Sequence, residues 1–456
     1  MATTHTVESL AFDLSEANIQ RACFYRDVAS LAGNGPEASH WQVAVWQHGS
    51  DLPRPNVAHE ALDAVKAAIV DSSDLRGHEM IWVAPFRGSD GASTVFIASV
   101  HSTVRGAAQG GTRFRPYESF ADAMADALRL SEGMTRKSAL AGLWWGGGKS
   151  VIPRTPSLGV AYEGEAPQRA QLFRSFGAFV ASMGGIYYAA EDMGTTTSDM
   201  DSILSACRFV TCISRNKGGS GDPSPFTARA VYLGIETAAA ALRIGDGLSS
   251  LRVSIQGAGH VGARLALLLS KSGAQCVVAD YWDRPGLAAT RDEIVHCAGV
   301  TAIPADAIYD QPADVFCPCA VGGTINGVTI PKLSARGVRL VVGAANNMLA
   351  NPFLDSRMLA EYQIAYVPDF VINSGGIANC ADEASGYLDA TAADVIEQIP
   401  ELTMRVLLSS RRYGVTTLAV AEIMGDEASR VRNPLHPGRS QRILRQLVNR
   451  FEGGRT

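Results

Sequence analysis

Residues Val253 to Asp280, VSIQGAGHVGARLALLLSKSGAQCVVAD, decide the fold. The apolar run VSIQ reads as a strand, ARLALLLS as a helix, and CVVAD as the next strand. Between the first two lies Gly257-Ala258-Gly259-His260-Val261-Gly262, a G-x-G-x-x-G turn. Gly257 permits the tight turn, Gly259 lets the backbone approach a pyrophosphate, and Gly262 lets helix and strand pack closely. His260 and Val261 open the helix, whose free N–H groups and partial positive charge suit a phosphate. Asp280 ends the second strand 23 positions after Gly257, near the ~20 expected of a ribose-binding carboxylate. A carboxylate there accepts the ribose 2′-hydroxyl and repels a 2′-phosphate, so NAD is expected rather than NADP. Arg284 lies close enough to weaken that preference.

The same cadence continues outward. ADVFCP, RLVVGAA and IAYVPD are further short apolar runs, and Thr227 to Ala241 reads as the helix that precedes VSIQ. Strands alternating with helices imply a parallel, doubly wound sheet. Upstream, RNKGGSGDPSP (Arg215 to Pro225) is dense in turn formers and suits an inter-domain hinge. Before it the texture differs. MIWVAPF and STVFIASVHSTV read as strands joined by GSDGA, Phe120 to Arg136 as a helix, the LFRSFGAFVASMGG region as another, and IYYAA as a short strand. The first ~75 residues offer a helix at Ala58 to Ile69 and a polar, Gly/Pro-containing stretch, Leu31 to His40. From about Ala392 the chain reads as helical and is expected to fold back on the first domain. The expected architecture is α/β with two domains and a cleft between them: an N-terminal extension over 1–78, a catalytic and oligomerisation domain over 79–222 plus 392–456, and a dinucleotide-binding domain over 223–391.

Composition excludes several classes. Of 456 residues, 46% are hydrophobic and 19% charged, and the net charge is −5, which argues against a nucleic-acid or anionic-membrane surface. No run approaches the ~20 apolar residues of a membrane span, and the start lacks the pattern of a secretory signal, so a cytoplasmic location is expected. The eight cysteines form no C-x-x-C pair; reduced thiols are expected and no metal is indicated.

Chemistry is suggested in the first domain. Lys137 precedes Lys149 by 12 positions, and Lys149 ends the run Gly146-Gly147-Gly148, read as a glycine-rich loop that leaves its ammonium free to face a cleft. Asp192 follows the short strand. A lone lysine is usually a solvated charge, but two lysines, a glycine run and an aspartate form a constellation.

In order along the chain stand GGTR (Gly110 to Arg113), MTRKSALAGL (Met134 to Leu143), GGGK, AEDMGTT (Ala190 to Thr196), PSPFTA (Pro223 to Ala228), GAGHVG, CPCAVG (Cys317 to Gly322), GAANN (Gly343 to Asn347) and PDFVINSGGIANCADE (Pro368 to Glu383). From about Met80 onward the sequence closely resembles the glutamate/leucine/phenylalanine/valine dehydrogenase family, most of all its leucine/phenylalanine/valine branch. The resemblance implies NAD-dependent, reversible oxidative deamination of an L-α-amino acid to its 2-oxo acid and ammonia, by a homo-oligomer. It implies Lys149 and Asp192 as catalytic groups, Lys137 with Asn347 on the substrate carboxylate, and Gly110 and Gly111 beside the substrate. Ser224, Thr227, Cys319, Ala320 and Asn346 match positions near the cofactor.

The side-chain pocket departs from the family. Gln109 stands where an aliphatic residue usually precedes GGTR, Ser138 follows Lys137, and Cys380 replaces a small or branched residue. Leu143, Ala190 and Ile377 keep apolar character. Trp144 stands where the aspartate after GL usually is and is followed by Trp145; both are read as buried and could reshape the pocket. A glutamine lining a site needs a partner, since an unpaired amide costs about 1–3 kcal/mol. A polar side chain, or an aromatic one with a polar handle, is one expectation for the substrate; ordinary branched-chain substrates with Gln109 turned away is the other. Two further readings are a reductive aminating enzyme for a specialised 2-oxo acid in a biosynthetic pathway, and an inactive NAD-binding regulator. The extension over 1–78 is expected to widen a subunit interface or cap the cleft.

Overall fold

The computed structural model describes residues 6–26, 41–284, 286–384, 386–435 and 438–451; the stretch Leu31 to His40 lies outside them. The chain forms one eight-stranded and one six-stranded sheet. The first contains β1 (Ile19–Arg26), β2 (Trp41–Gln47), β3 (Arg54–Pro55), β4 (Met80–Arg87), β5 (Ser93–Ser102), β6 (Ala108–Arg115), β7 (Gly146–Pro153) and β8 (Tyr187–Glu191) in the order β3-β2-β1-β4-β5-β7-β6-β8. Its strands are antiparallel from β3 to β7, while β6 pairs parallel with both β7 and β8. The second contains β9 (Arg252–Gln256), β10 (Gln275–Asp280), β11 (Val300–Pro304), β12 (Val315–Pro318), β13 (Leu340–Val341) and β14 (Ala365–Tyr366), all parallel, ordered β11-β10-β9-β12-β13-β14. That order is the doubly wound dinucleotide-binding arrangement, whose order reverses between β9 and β12 and opens a crevice there.

Residues of the first sheet alternate between two buried faces, as the period of a strand requires. Ile81 and Val83 join Leu10, Leu14, Leu62 and Val65 on one face, under the helices Val7–Glu16 and Glu60–Val70. Met80 and Trp82 join Phe173, Phe176 and Phe179 of the helix Pro167–Ala181 on the other. The long helix Phe120–Leu140 is capped by Ser119, whose hydroxyl accepts from the Asp122 N–H at 3.1 Å. It runs past Arg136 and so carries Lys137 on its last turn.

Two expected boundaries are corrected. The described residues of the expected extension over 1–78 are not separate, because β1 zips onto β4 from Ala22 opposite Val83 to Tyr25 opposite Met80. They widen the sheet at the edge opposite β8. The tail over 392–456 does not belong wholly to the first domain either. Ile399, Leu402 and Val406 of the helix Ile399–Tyr413 pack with Val231 and Ile235 in the core of the dinucleotide half. The helix Thr417–Ser429 returns to the helix Phe120–Leu140, where Arg136 binds Glu422 (3.2 Å) and Asp426 (2.7 Å). Leu444, Val448 and Phe451 of the helix Arg439–Phe451 then complete the core of the first sheet. Among the described residues no helix is long and apolar enough to cross a membrane, and all eight cysteines are free thiols.

Candidate active site

A cleft of about 530 Å³ separates the parallel end of the first sheet from the crevice of the second. On the crevice side, Gly257 has φ +106°, and a Cβ there would meet the Ala320 Cβ at 2.7 Å. Gly262 would clash with the Gly257 carbonyl at 2.0 Å, so the helix His260–Lys271 sits on the turn only without a side chain. Asp280 accepts from the N–H groups of Ala258 and Tyr281, each at 2.7 Å. These bonds fix its carboxylate at the crevice edge beside Arg284, which is stacked 4.8 Å over Tyr281. Cys319 and Ala320 follow β12, and Ser224 and Thr227 open the helix Ser224–Leu242; all four line the cleft.

The facing wall is charged and largely dry. GGGK is corrected from a loop to the first half of a strand: Gly146 to Lys149 are buried residues of β7. A Cβ on Gly147 would lie 2.4 Å from the Thr135 backbone N, so the bare strand lets the helix Phe120–Leu140 approach and bring Lys137 beside Lys149. Gly194, at φ +83° and with no room for a Cβ against the Phe114 carbonyl (1.9 Å), turns the chain out of β8. Thr196 and Asp199 then start the helix Thr197–Leu204 with a capping box, and Asp192 is left pointing at Lys149.

Lys149 Nζ donates to Asp192 Oδ2 at 2.6 Å, and Arg113 Nε to the same oxygen at 2.9 Å. Burial pulls the Asp192 carboxyl upward, but Lys149 and Arg113 outweigh it and hold it well below the usual range. Burial lowers Lys149, against the pull of Asp192 and with help from the Arg113 charge. Lys137 is lowered to about 8, by burial first, with the Asp369 carboxylate opposing and the Lys149 cation adding. Two lysines whose hold on the proton is weakened by burial, set beside a fixed anion, can hold a carboxylate and pass protons.

Most of the expected residues converge here. Gln109, Gly110, Gly111, Lys137, Lys149, Ala190, Asp192, Asn346, Ile377 and Cys380 share the cleft lining with Gly257, Gly259, His260, Val261 and Asp280. Four do not reach it. Gly262 lies under the turn. Ser138 is fully buried and does not line the cleft, and Leu143 backs Ile377 within a small apolar cluster with Trp145. Asn347 is not among the cleft-lining residues: at φ +53° its N–H binds Asp369 at 3.1 Å, and it borders a small void together with Lys137 and Lys149. Its neighbour Asn346, expected at the cofactor, accepts from Lys137 Nζ at 3.0 Å instead. Trp144 is also corrected, being 39% exposed under Arg105 rather than in the pocket wall. Arg113 and Asp369 were missed as site residues, although GGTR and PDF carry them. So was Glu191, which burial first raises to about 7 and whose carboxylate lies with Asp222 and His260 at the cleft, the three ligand atoms within 4.8 Å of one another.

Residues 79–209 match the family described as Glu/Leu/Phe/Val dehydrogenase, dimerisation domain, and residues 285–397 match Glutamate/Leucine/Phenylalanine/Valine dehydrogenase. Leucine dehydrogenase of Geobacillus stearothermophilus is 40% identical over 331 residues, 73% of this chain and 86% of that one. The chain belongs to the Glu/Leu/Phe/Val dehydrogenase family. This family member is therefore an amino-acid dehydrogenase that uses a nicotinamide dinucleotide. Valine dehydrogenase of Streptomyces coelicolor is 38% identical over 357 residues, 78% of this chain and 93% of the relative. Among solved structures, the L-tryptophan dehydrogenase of Nostoc punctiforme is 32% identical at a TM-score of 0.59, covering 77% of this chain and 96% of the other.

Proposed function

We propose that this dehydrogenase converts an L-α-amino acid, NAD and water into the 2-oxo acid, ammonium, NADH and a proton, and runs the reverse reaction on the same groups. One observation carries the reading: Lys137 and the Lys149–Asp192 pair face Gly257 and Asp280 across a single cleft. The bare turn at Gly257 and Gly262 fits a pyrophosphate, and Asp280 has lone pairs left for ribose hydroxyls, which supports NAD over NADP. When bound, the nicotinamide takes up the substrate α-hydride.

The chain supplies the rest. Lys137, steadied by Asn346, holds the substrate carboxylate as a cation. Asp192 receives a proton from the substrate nitrogen and returns it to the leaving ammonia. Lys149, biased toward its neutral form by burial, takes a proton from the water that adds to the iminium carbon of the substrate. Arg113 keeps Asp192 ionised between turnovers. Closure of the cleft excludes bulk water from these transfers. We place the two working units near residues 6–222 and 223–413, with the chain end returning to the first. We further propose a homo-oligomer, supported by the family description of residues 79–209, and a cytoplasmic location, supported by the free thiols.

Absorbance of NADH, followed with a panel of amino acids plus NAD and then NADP, tests the reading. Turnover with NAD is expected, and Asp280→Ala should raise the KM for NAD about tenfold. A chain that binds NAD yet turns over no amino acid would instead be an inactive regulator.

A further inference from the structure

Gln109 lies on β6, is fully buried, and lines the substrate end of the cleft. Its Nε2 donates to Thr211 Oγ1 at 2.9 Å and to Cys380 Sγ at 3.4 Å. Each of these acceptors passes its own hydrogen to a backbone carbonyl, Thr211 to Ala189 at 3.3 Å and Cys380 to Ile377 at 3.5 Å. Both amide hydrogens are thus used, and the network fixes which way the amide faces. The Oε1 is left buried with no protein donor. A buried carbonyl with no partner is a demand for one, and Gln109 borders the substrate end of the cleft.

We propose that Gln109 selects amino acids whose side chain is a flat, mostly apolar body carrying one N–H or O–H, an indole or phenol type. The proposal rests on the dehydrogenase reading above and names its substrate class. An aliphatic side chain packed there leaves Oε1 unpaired. A side-chain carboxylate or amide brings an extra acceptor to a wall of Ala190, Ile377, Cys212 and Cys380, whose weak thiol donors already engage other groups. A single donor on an aromatic ring satisfies the carbonyl and leaves the remaining wall in apolar contact, while the small Ala190 and Gly376 leave width for a ring. Sites built to pair a substrate hydrogen discriminate against the analogue that lacks it.

Matched substrates test this on the full chain. The kcat/KM for tyrosine should exceed that for phenylalanine at least tenfold. Tryptophan should exceed 3-benzothienylalanine, in which sulfur replaces the indole N–H, by a similar factor, mostly through KM. Leucine and valine should fall below both donors. In Gln109→Met the two ratios should collapse to within about threefold of unity. Wild-type ratios near one, or leucine, valine or glutamine as the preferred substrate, overturn the proposal and leave the dehydrogenase reading intact. Absence of turnover with every amino acid sinks that reading instead. The wild-type ratios decide the question independently of whether the variant folds.

Discussion

The two ends of the eight-stranded sheet are built on opposite rules. At the β1–β4 end the strands carry bulk: Trp46 stacks on Trp82 at 5.4 Å, and Phe451 of the last helix packs edge-on to both. At the other end β6 and β7 carry glycines, the space so freed is filled by neighbouring backbone, the Tyr187 ring and Asp192, and Lys149 and Arg113 bind Asp192 there. Buried charge is costly and its pairs add little net stability, so the aromatic end has to stabilise a sheet whose other end is arranged for chemistry. Strands β1 to β3, which precede the family match that begins at residue 79, sit at the stabilising end.

That contrast predicts a separation of effects. Lys149→Ala should lower kcat by about 10²–10⁴-fold while NAD binding, read by fluorescence titration, stays near wild type. A fall in NAD affinity of similar size would show that the charged end is scaffolding for the crevice. Phe451→Ala should do the reverse. It removes an aromatic side chain buried at 2% exposure, at about 3 kcal/mol of unfolding free energy, and leaves kcat within about twofold. If denaturant unfolding moves little and kcat drops instead, the division between the two ends is wrong.

The difference also explains what could be read in the sequence. The crevice was legible because its parts are contiguous: strand, turn, helix and Asp280 lie within 28 residues. Lys137, Lys149 and Asp192 come from a helix end, a strand and a turn; their residue types suggested a constellation, and the family resemblance gave each its role. AQGGTRFR and GGGKSVIP read poorly as strands because glycine lowers strand propensity, yet here glycine is what lets the helix Phe120–Leu140 and the flanking strands approach. The choice of Asn346 over Asn347 depends on which neighbour takes φ +53° and binds Asp369. IQRACFYR and WQVAVWQ did carry apolar and aromatic strand signals, but their pairing with β4 is a long-range contact that local patterning does not specify. The tail's return across the cleft is long-range in the same way.

A pH profile sharpens the role of Lys137. Its proton leaves at about 8, so the carboxylate-binding cation is present below that pH and lost above it. The KM for a 2-oxo acid should therefore be flat from pH 6.5 to 7.5 and rise about tenfold per unit well above pH 8. Lys137→Gln should raise KM at low pH and remove the break. A wild-type KM that stays level to pH 10 would take Lys137 out of carboxylate binding.

Trp144 gives the smallest effect and the cleanest contrast with its neighbour. The Arg105 guanidinium lies 4.4 Å over its ring, yet Arg105 is already anchored by the carbonyls of Leu143 and Ala428, each at 2.9 Å. With the Trp144 ring exposed, a contact of this kind contributes about 0.5–1 kcal/mol. Trp145 instead donates to the Ala381 carbonyl at 2.9 Å and packs edge-on to Tyr188 beside the cluster that backs Ile377. Trp144→Ala should thus cost under about 1 kcal/mol and leave the ranking of amino acids by kcat/KM unchanged, whereas Trp145→Ala should loosen the segment after Ile377 and blur that ranking. Were the two variants to change substrate preference equally, the pocket wall would extend to the surface of the sheet, and the glycine-rich end could not be the self-contained chemical unit described.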